Sequence, residues 1–246
     1  MNKKIFKHAR KLHKWLGYLL ALQILAWLLG GLIMSAIPLD KVHGEHLATR
    51  TLNNPFTQAD YVASLDDIAS QVVNPTQIIF ENFLTTPLIT VFSNNEQQSF
   101  NGITGRPFEP PTKIQITANA KAHLLIDAQV TSAVLLKQGM REVGYKTNVW
   151  QVQFDDTFNT TLYLSENNGK VVTVRSTLWR IFDFFWMLHI MDYDERENFN
   201  NPLLISFSAT SVLFCLSGIL LLIQNIRLKR FIRIKIRINQ SSHIGF

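Results

Sequence analysis

Seven histidines carry most of the chemistry open to this sequence, because imidazole exchanges protons near neutral pH and ligates metals. One of them, His189, stands inside the stretch Trp179–Tyr193, WRIFDFFWMLHIMDY. At helical spacing Trp179, Phe182, Trp186, His189 and Tyr193 recur at steps of 3, 4, 3 and 4, so they share one face. The opposite side carries Arg180 and Asp183, expected to form an i,i+3 ion pair, with Met187 and Ile190. The apolar run Ile181–Met191 is about 11 residues long, too short and too polar to cross a bilayer, and suits a membrane–water boundary. Directly after it, Asp192, Asp194, Glu195 and Glu197 form an acidic cluster. That cluster could bind a hard cation, or act as a solvated cap that starts the next helix and stays outside. The sequence holds no G-x-S-x-G, H-E-x-x-H, P-loop or Rossmann fingerprint, so hydrolase or nucleotide chemistry is not expected of it.

Two apolar runs must position these residues. Residues 16–37 contain one strongly polar side chain, Gln23, and at 1.5 Å per residue reach roughly 33 Å, enough for a hydrocarbon core of about 30 Å. A cleaved signal peptide is the rival reading, but its apolar region is normally about 7–15 residues, so a retained anchor is expected. Trp15 and Tyr18 fall at the near boundary, where amphipathic rings are favoured, and Pro38 ends the helix. The second run, residues 203–223, presents Ser208, Ser211, Cys215 and Gly218 at steps of 3, 4 and 3. Such a seam lets helix backbones approach closely; Gly17/Ala21, Ala26/Gly30 and Gly31/Ser35 are the matching small residues of the first run.

The net charge of +6 hides an asymmetry. Residues 1–14 and 225–246 each hold six basic residues and no acid, half of the 24 in the chain, which leaves the middle acidic. A nucleic-acid binder would carry its basic residues on the folded domain, so that class is excluded. Basic segments flanking two apolar runs are what the positive-inside rule expects of two cytoplasmic ends. The single cysteine, Cys215, rules out an intrachain disulfide, a CxxCH haem attachment and a cysteine metal site, so the middle domain must rest on its apolar core.

That middle reads as an internal repeat, each unit a helix followed by antiparallel strands. The first has a helix expected over Gln58–Val73, with Ala59, Val62, Leu65, Ile68 and Val72 inward and Asn74-Pro75 as its stop. Strands follow around Ile78–Phe83, Leu88–Phe92 and Phe100–Ile103, split by Thr86-Pro87 and Asn94-Asn95. The second has a helix within Lys121–Met140 and strands around Asn148–Phe154, Thr160–Leu164 and Lys170–Val174. Gly105 and Gly169 suit the positive-φ position of a tight hairpin, and Pro107, Pro110 and Pro111 form the linker between units.

A helix followed by a three-stranded sheet closing on Asn168-Gly169-Lys170-Val171-Val172 resembles the PepSY domain. Leu12-His13-Lys14-Trp15-Leu16-Gly17 is similar to the opening motif of PepSY-associated transmembrane proteins. Trp186-Met187-Leu188-His189-Ile190, followed by Asn198-Phe199-Asn200-Asn201-Pro202, is similar to their later motif. The resemblance covers nearly the whole chain. It implies an α+β exported domain of two PepSY-like units, anchored by two transmembrane helices in the bacterial inner membrane, with both termini cytoplasmic and the centre periplasmic. The corresponding boundaries are a basic tail 1–14, a span 15–37, a periplasmic domain 38–178 (units about 57–110 and 111–178), an interfacial helix and acidic cap 179–201, a span 202–224 and a tail 225–246.

Larger four-span members of that family include ferrisiderophore reductases in which membrane histidines hold b-type haem, whereas soluble PepSY modules are associated with binding or restraining peptidases. This sequence departs from the reductases in having two apolar runs and no histidine inside either. His8, His13 and His243 fall with the cytoplasmic tails, and His43, His46, His123 and His189 on the opposite side. His13 and His189 are then separated by roughly 30 Å, one bilayer thickness, and cannot share an iron. A bis-histidine haem would pair His189 with His43 or His46, or join two copies of His13 or of His189 in a homodimer or with a partner membrane subunit. Asp192 could orient the second ring nitrogen of His189. The plainer alternatives are that His189 hydrogen-bonds locally in an aromatic interface and that His13 is a basic headgroup contact. Two functions follow from the resemblance: an accessory haem-binding or electron-transfer component of an iron or siderophore reduction system, or a non-enzymatic module docking a peptidase or another envelope protein. Neither requires a stand-alone enzyme.

Overall fold

No proline occurs between the basic N-terminus and the end of the first apolar stretch, where Leu and Lys are frequent, and α1 spans Lys3–Ala36. A computed structural model describes residues 3–52, 57–94 and 96–241, with side chains to residue 226; His243 and Asn95 lie outside the described residues. The chain is α+β, with two antiparallel sheets and a long apolar helix near each end. Residues Phe6–Ala36 and Pro202–Ile226 are long and apolar enough to cross a membrane. The basic tails continue these helices rather than forming separate segments, since α1 begins at Lys3 and the last helix, α6, runs Pro202–Ser241.

The chain divides into two compact units. One comprises residues 1–35 and 184–246; the other is Ala36–Asp183. The α+β unit opens with the short helix α2 (Leu39–Val42) and, after a 3-10 turn at Gln58–Asp60, α3 (Leu65–Ser70). The helix expected over Gln58–Val73 is therefore cut to one and a half turns. Ser64 takes the N-cap, its hydroxyl accepting the Asp67 N–H at 3.2 Å, and Val62 and Val73 are 72% and 81% exposed rather than inward. Then come β1 (Pro75–Phe83), β2 (Thr86–Ser93) and β3 (Gln97–Asn101), a meander in the order β1-β2-β3. Thr86-Pro87 open β2 instead of separating strands.

Pro87 has no N–H to give, and its position fixes the register. Its carbonyl faces β3 and accepts the Gly102 N–H at 2.8 Å, so Thr86, Leu88 and Thr90 turn their main chain toward β1. The alternation then directs the main-chain groups of Ile78, Phe80 and Asn82 to the free edge of β1.

The second half begins with α4 (Lys113–His123), closed by a capping box in which Thr112 accepts the Gln115 N–H and the Gln115 side chain accepts the Thr112 N–H. The expected helix within Lys121–Met140 is corrected here: α4 ends at His123, and Val130–Leu136 forms β4. The strand pairs with β5 (Val149–Phe154), followed by β6 (Thr161–Ser165) and β7 (Val171–Arg175), giving the order β4-β5-β6-β7. Gly105 and Gly169 adopt φ of +70° and +67° as the hairpin reading requires.

The larger core gathers Ile116 and Ala120 of α4, Val152, Leu162, Leu164, Val171 and Val174 of the second sheet, and Phe83 and Leu88 from the first. A smaller one joins Ile68 of α3 to Ile89, Val91 and Phe100. The helix α5 (Thr177–Ile190) follows β7, and the boundary between the units falls within it, after Asp183. It ends before Tyr193, with Met191 at φ +53°, so the fifth member of the expected aromatic stripe lies outside the helix.

Candidate functional site

In the helical unit, His13 is held from three directions. Its ring lies parallel to Phe214 at 4.3 Å between centroids and 3° between planes. Gly218 lies close to the ring as well: a Cβ there would stand 3.0 Å from His13 Cε1. His13 Nδ1 lies 3.1 Å from the Phe214 carbonyl and 2.9 Å from Ser217 Oγ. A carbonyl can only accept, so Nδ1 is the protonated nitrogen and Nε2 carries the lone pair. This differs from a headgroup contact: His13 belongs to the contact between α1 and α6. Gly17, which would meet Phe214 Cε2 at 3.4 Å, and Gly218 act as expected of the small-residue seam, whereas Gly31 has open space and Cys215 is exposed.

His189 is placed differently. The half of α5 from Phe184 onward lies along the middle of the apolar stretch of α1, not at its outer end. Gln23 Nε2 donates to the Leu188 carbonyl at 2.9 Å, and Gly30 lies where a Cβ would be 3.4 Å from the Phe185 carbonyl oxygen. The Trp27 and His189 rings are 6.4 Å apart and tilted by 56°. His189 Nδ1, Trp27 Nε1 and Ser211 Oγ are buried without a hydrogen-bond partner among the described residues. From His13 to Trp27 is fourteen residues of α1, roughly 21 Å, so the two imidazoles sit at different levels.

Asp192 does not orient His189. Its carboxylate accepts the N–H groups of Asp194, Glu197 and Asn198 at 3.0–3.3 Å, folding the acidic segment into a loop. Trp186 Nε1 donates to the Arg196 carbonyl, and Asn201 caps α6 by accepting the Leu204 N–H at 2.8 Å. No group of three or more His, Cys, Asp or Glu that could hold a metal ion occurs among the described residues.

The remaining histidines have local roles. His8 Nδ1 lies 2.8 Å from the Lys4 carbonyl one turn back. His43 and His46 belong to the α+β unit, apart from His189 in the chain's division. His43 follows α2 as its C-cap, and His46 meets Phe158 edge-on at 6.0 Å. Burial, then the charge of Lys41, pushes the His46 pKa down against the opposing pull of Asp40. His123 resembles His13: its Nδ1 lies 2.9 Å from the Thr49 carbonyl and the residue is buried. Burial lowers its pKa, with the Thr49 bond opposing.

In place of the local Arg180–Asp183 pair expected, the structure has two longer-range pairs to the 3-10 turn Arg141–Val143. Arg141 meets Asp183 at 2.7 Å, and Arg180 grips Glu142 with two bonds of 2.9 and 3.1 Å. Tyr163 donates to the same carboxylate at 2.9 Å, and Arg175 lies 4.0 Å over the Trp179 ring. Burial pushes Glu142 up, but the Arg180 bonds, the Tyr163 hydroxyl and the charges of Arg180 and Arg175 hold it below the usual carboxylate range. Tyr163 is pushed up to about 12, first by burial and then by the Glu142 charge. The network fixes the base of α5 on the second sheet; it is structural.

A cavity of about 520 Å³ in the α+β unit escaped the sequence reading, because its lining comes from segments scattered between residues 50 and 171. Arg50–Leu52, Tyr61, Ile79–Asn82, His123 and Asn168–Val171 meet there. Glu81 accepts from Thr90 Oγ1 at 3.0 Å, from Asn168 Nδ2 at 3.3 Å and from Lys170 Nζ, joining the two sheets. Comparison with protein-family models, curated proteins and solved structures finds no match.

Proposed function

We propose that this chain is a two-pass membrane protein of the PepSY-associated kind and an accessory haem-binding component of an electron-transfer or iron-reduction system, with His13 as the iron ligand. The observation that carries the reading is the restraint on His13. An imidazole that ligates iron through Nε2 is oriented by a hydrogen bond from its other nitrogen, and Nδ1 has both a carbonyl and a hydroxyl for that purpose. Phe214 and Gly218 fix the ring plane, and no partner of Nε2 occurs among the described residues. His189 fits less well, since its Nδ1 has no acceptor.

A b-type haem, when bound, carries one electron at a time. Among the described residues of the helical unit His13 is the one imidazole both stacked on a ring and anchored across helices, so a second histidine for the haem would come from another copy or from a partner subunit.

The membrane placement rests on exposure as well as hydropathy. Leu22, Leu28 and Leu32 of α1 and Leu222 and Ile226 of α6 are each more than 60% exposed, and lipid is the solvent in which such surfaces are stable. Trp15 and Tyr18 are exposed beside Lys14, which lies 5.8 Å over the Tyr18 ring, as in an interfacial belt. The basic ends then lie on the cytoplasmic side of a bacterial inner membrane and the α+β domain in the periplasm. Absorbance of the detergent-purified protein tests the haem reading. A Soret band that His13→Ala abolishes and His189→Ala retains is the expected result; a folded protein that shows no Soret shift when reconstituted with haem overturns it.

A further inference from the structure

We infer that the cavity beside β1 is a docking groove for an extended, acidic peptide segment of a periplasmic protein, which adds to the free edge of β1 and places its carboxylate on Arg50. The inference takes the α+β domain as a protein-binding module and is independent of haem: peptide binding reports on one, the Soret band on the other.

The groove touches four consecutive residues of β1, Ile79 to Asn82. Side chains of consecutive strand residues point to opposite faces, so a surface that meets all four meets the edge of the strand. Among the described residues β1 has a neighbour on one side only, and the main-chain groups it turns outward at Phe80 and Asn82 fall within the groove. An unpaired edge takes up an extended chain by continuing the ladder. Phe80, 50% exposed and packed edge-on against Tyr61 at 4.9 Å, supplies an apolar wall, with Leu52 and Val171.

The polar groups select the ligand's chemistry. His123 is only 6% exposed, lines the groove, and has Nδ1 committed to the Thr49 carbonyl, which leaves Nε2 as an acceptor. A peptide N–H satisfies such an acceptor. Lys170 is neutralised by Glu81, whereas Arg50 is exposed and has no acidic partner among the described residues. The groove therefore keeps one uncompensated positive charge, which an acidic side chain or a terminal carboxylate complements.

The full-length protein in detergent micelles is titrated into fluorescent decapeptides of alternating Val and Thr carrying one Glu at the third, fifth or seventh position, with Lys twins as controls, and anisotropy is read. At least one Glu peptide is expected to bind tenfold or more tightly than its Lys twin. Arg50→Glu is expected to reverse that order, and bound peptide to slow hydrogen exchange at the Phe80 and Asn82 amides. Asn82→Pro removes one outward N–H without touching the β2 ladder and is expected to weaken binding tenfold. Should that variant fold poorly, the Arg50 swap decides alone, since Arg50 is exposed. Failure of every Glu peptide to bind, equal binding of Glu and Lys twins, or an order that Arg50→Glu leaves unchanged overturns the proposal.

Discussion

Among the described residues, each unit of this molecule sets a packed histidine anchored through Nδ1 against one whose Nδ1 is buried without a partner. In the helical unit His13 gives its Nδ1 proton to the Phe214 carbonyl while His189 Nδ1 has no partner; in the α+β unit His123 is tied to Thr49 while His46 Nδ1 has none. The difference teaches that ring surroundings alone do not make an imidazole a site. His189 stands in the aromatic stripe of the sequence, but an anchored Nδ1 is what fixes tautomer and direction; His13 and His123 have it at packed positions, whereas exposed His8 has it only to its own helix. The same device then serves two ends. His13 is stacked flat on Phe214 with one nitrogen open, whereas His123 lines a groove as an acceptor.

The sharpest way to break this comparison is at Gly218. Gly218→Leu puts a side chain where Cβ is already 3.0 Å from His13 Cε1, so the ring must move. Haem absorbance per protein is expected to fall by most of its value, with helical circular dichroism unchanged; full retention would show that the clamp is irrelevant. At His123 the contrast is read by pH. The folded pKa is lowered, so the neutral form is the one the fold favours. Its contribution to stability is present above the unfolded value of about 6.5 and is lost as pH falls through the folded value. Melting of the α+β unit is expected to shift downward over that acid window and to flatten in His123→Gln; an equally steep shift in the variant would assign it to other groups. The smallest effect is expected at Ser217. Ser217→Ala removes one of two partners of His13 Nδ1, costing about 1 kcal/mol and hence roughly fivefold in haem affinity by titration. A loss as large as that of His13→Ala would make the hydroxyl, not the carbonyl, the anchor.

Much of the strand order was legible in the sequence, because turn residues fix it locally. Gly169 and Gly105 sit at positive φ where the hairpins need them, and the strand runs around Ile78, Leu88, Val149, Thr161 and Val171 all form. The helices were less legible. Ala133-Val134-Leu135-Leu136 is a short apolar run that periodicity cannot assign, and pairing with Val149–Val152 of β5 decides for a strand. Gln58–Val73 has the helical spacing, but Ser64 caps from within and Asn74 turns at φ +50°. The candidate site was visible only as residue types. His13 stood out by its motif, yet what holds it comes from about 200 positions away. Arg50, Glu81, His123 and Lys170 show nothing in common along the chain, because the cavity exists only once the two sheets meet.

Those sheets meet at Gly169. The Phe83 ring occupies the space where a Cβ of Gly169 would stand, and Asn119 donates to the Gly169 carbonyl at 2.7 Å. Phe83 thus belongs by sequence to the first helix-and-sheet repeat and by packing to the core of the second. A sheet that lends an aromatic ring to the interior of its neighbour is not an independent module. Neither half is expected to be a self-sufficient folding unit, and fragments separated in the proline linker at 107–111 should recover structure only by complementing each other. Two sheets that share one interior are expected to unfold together rather than in turn.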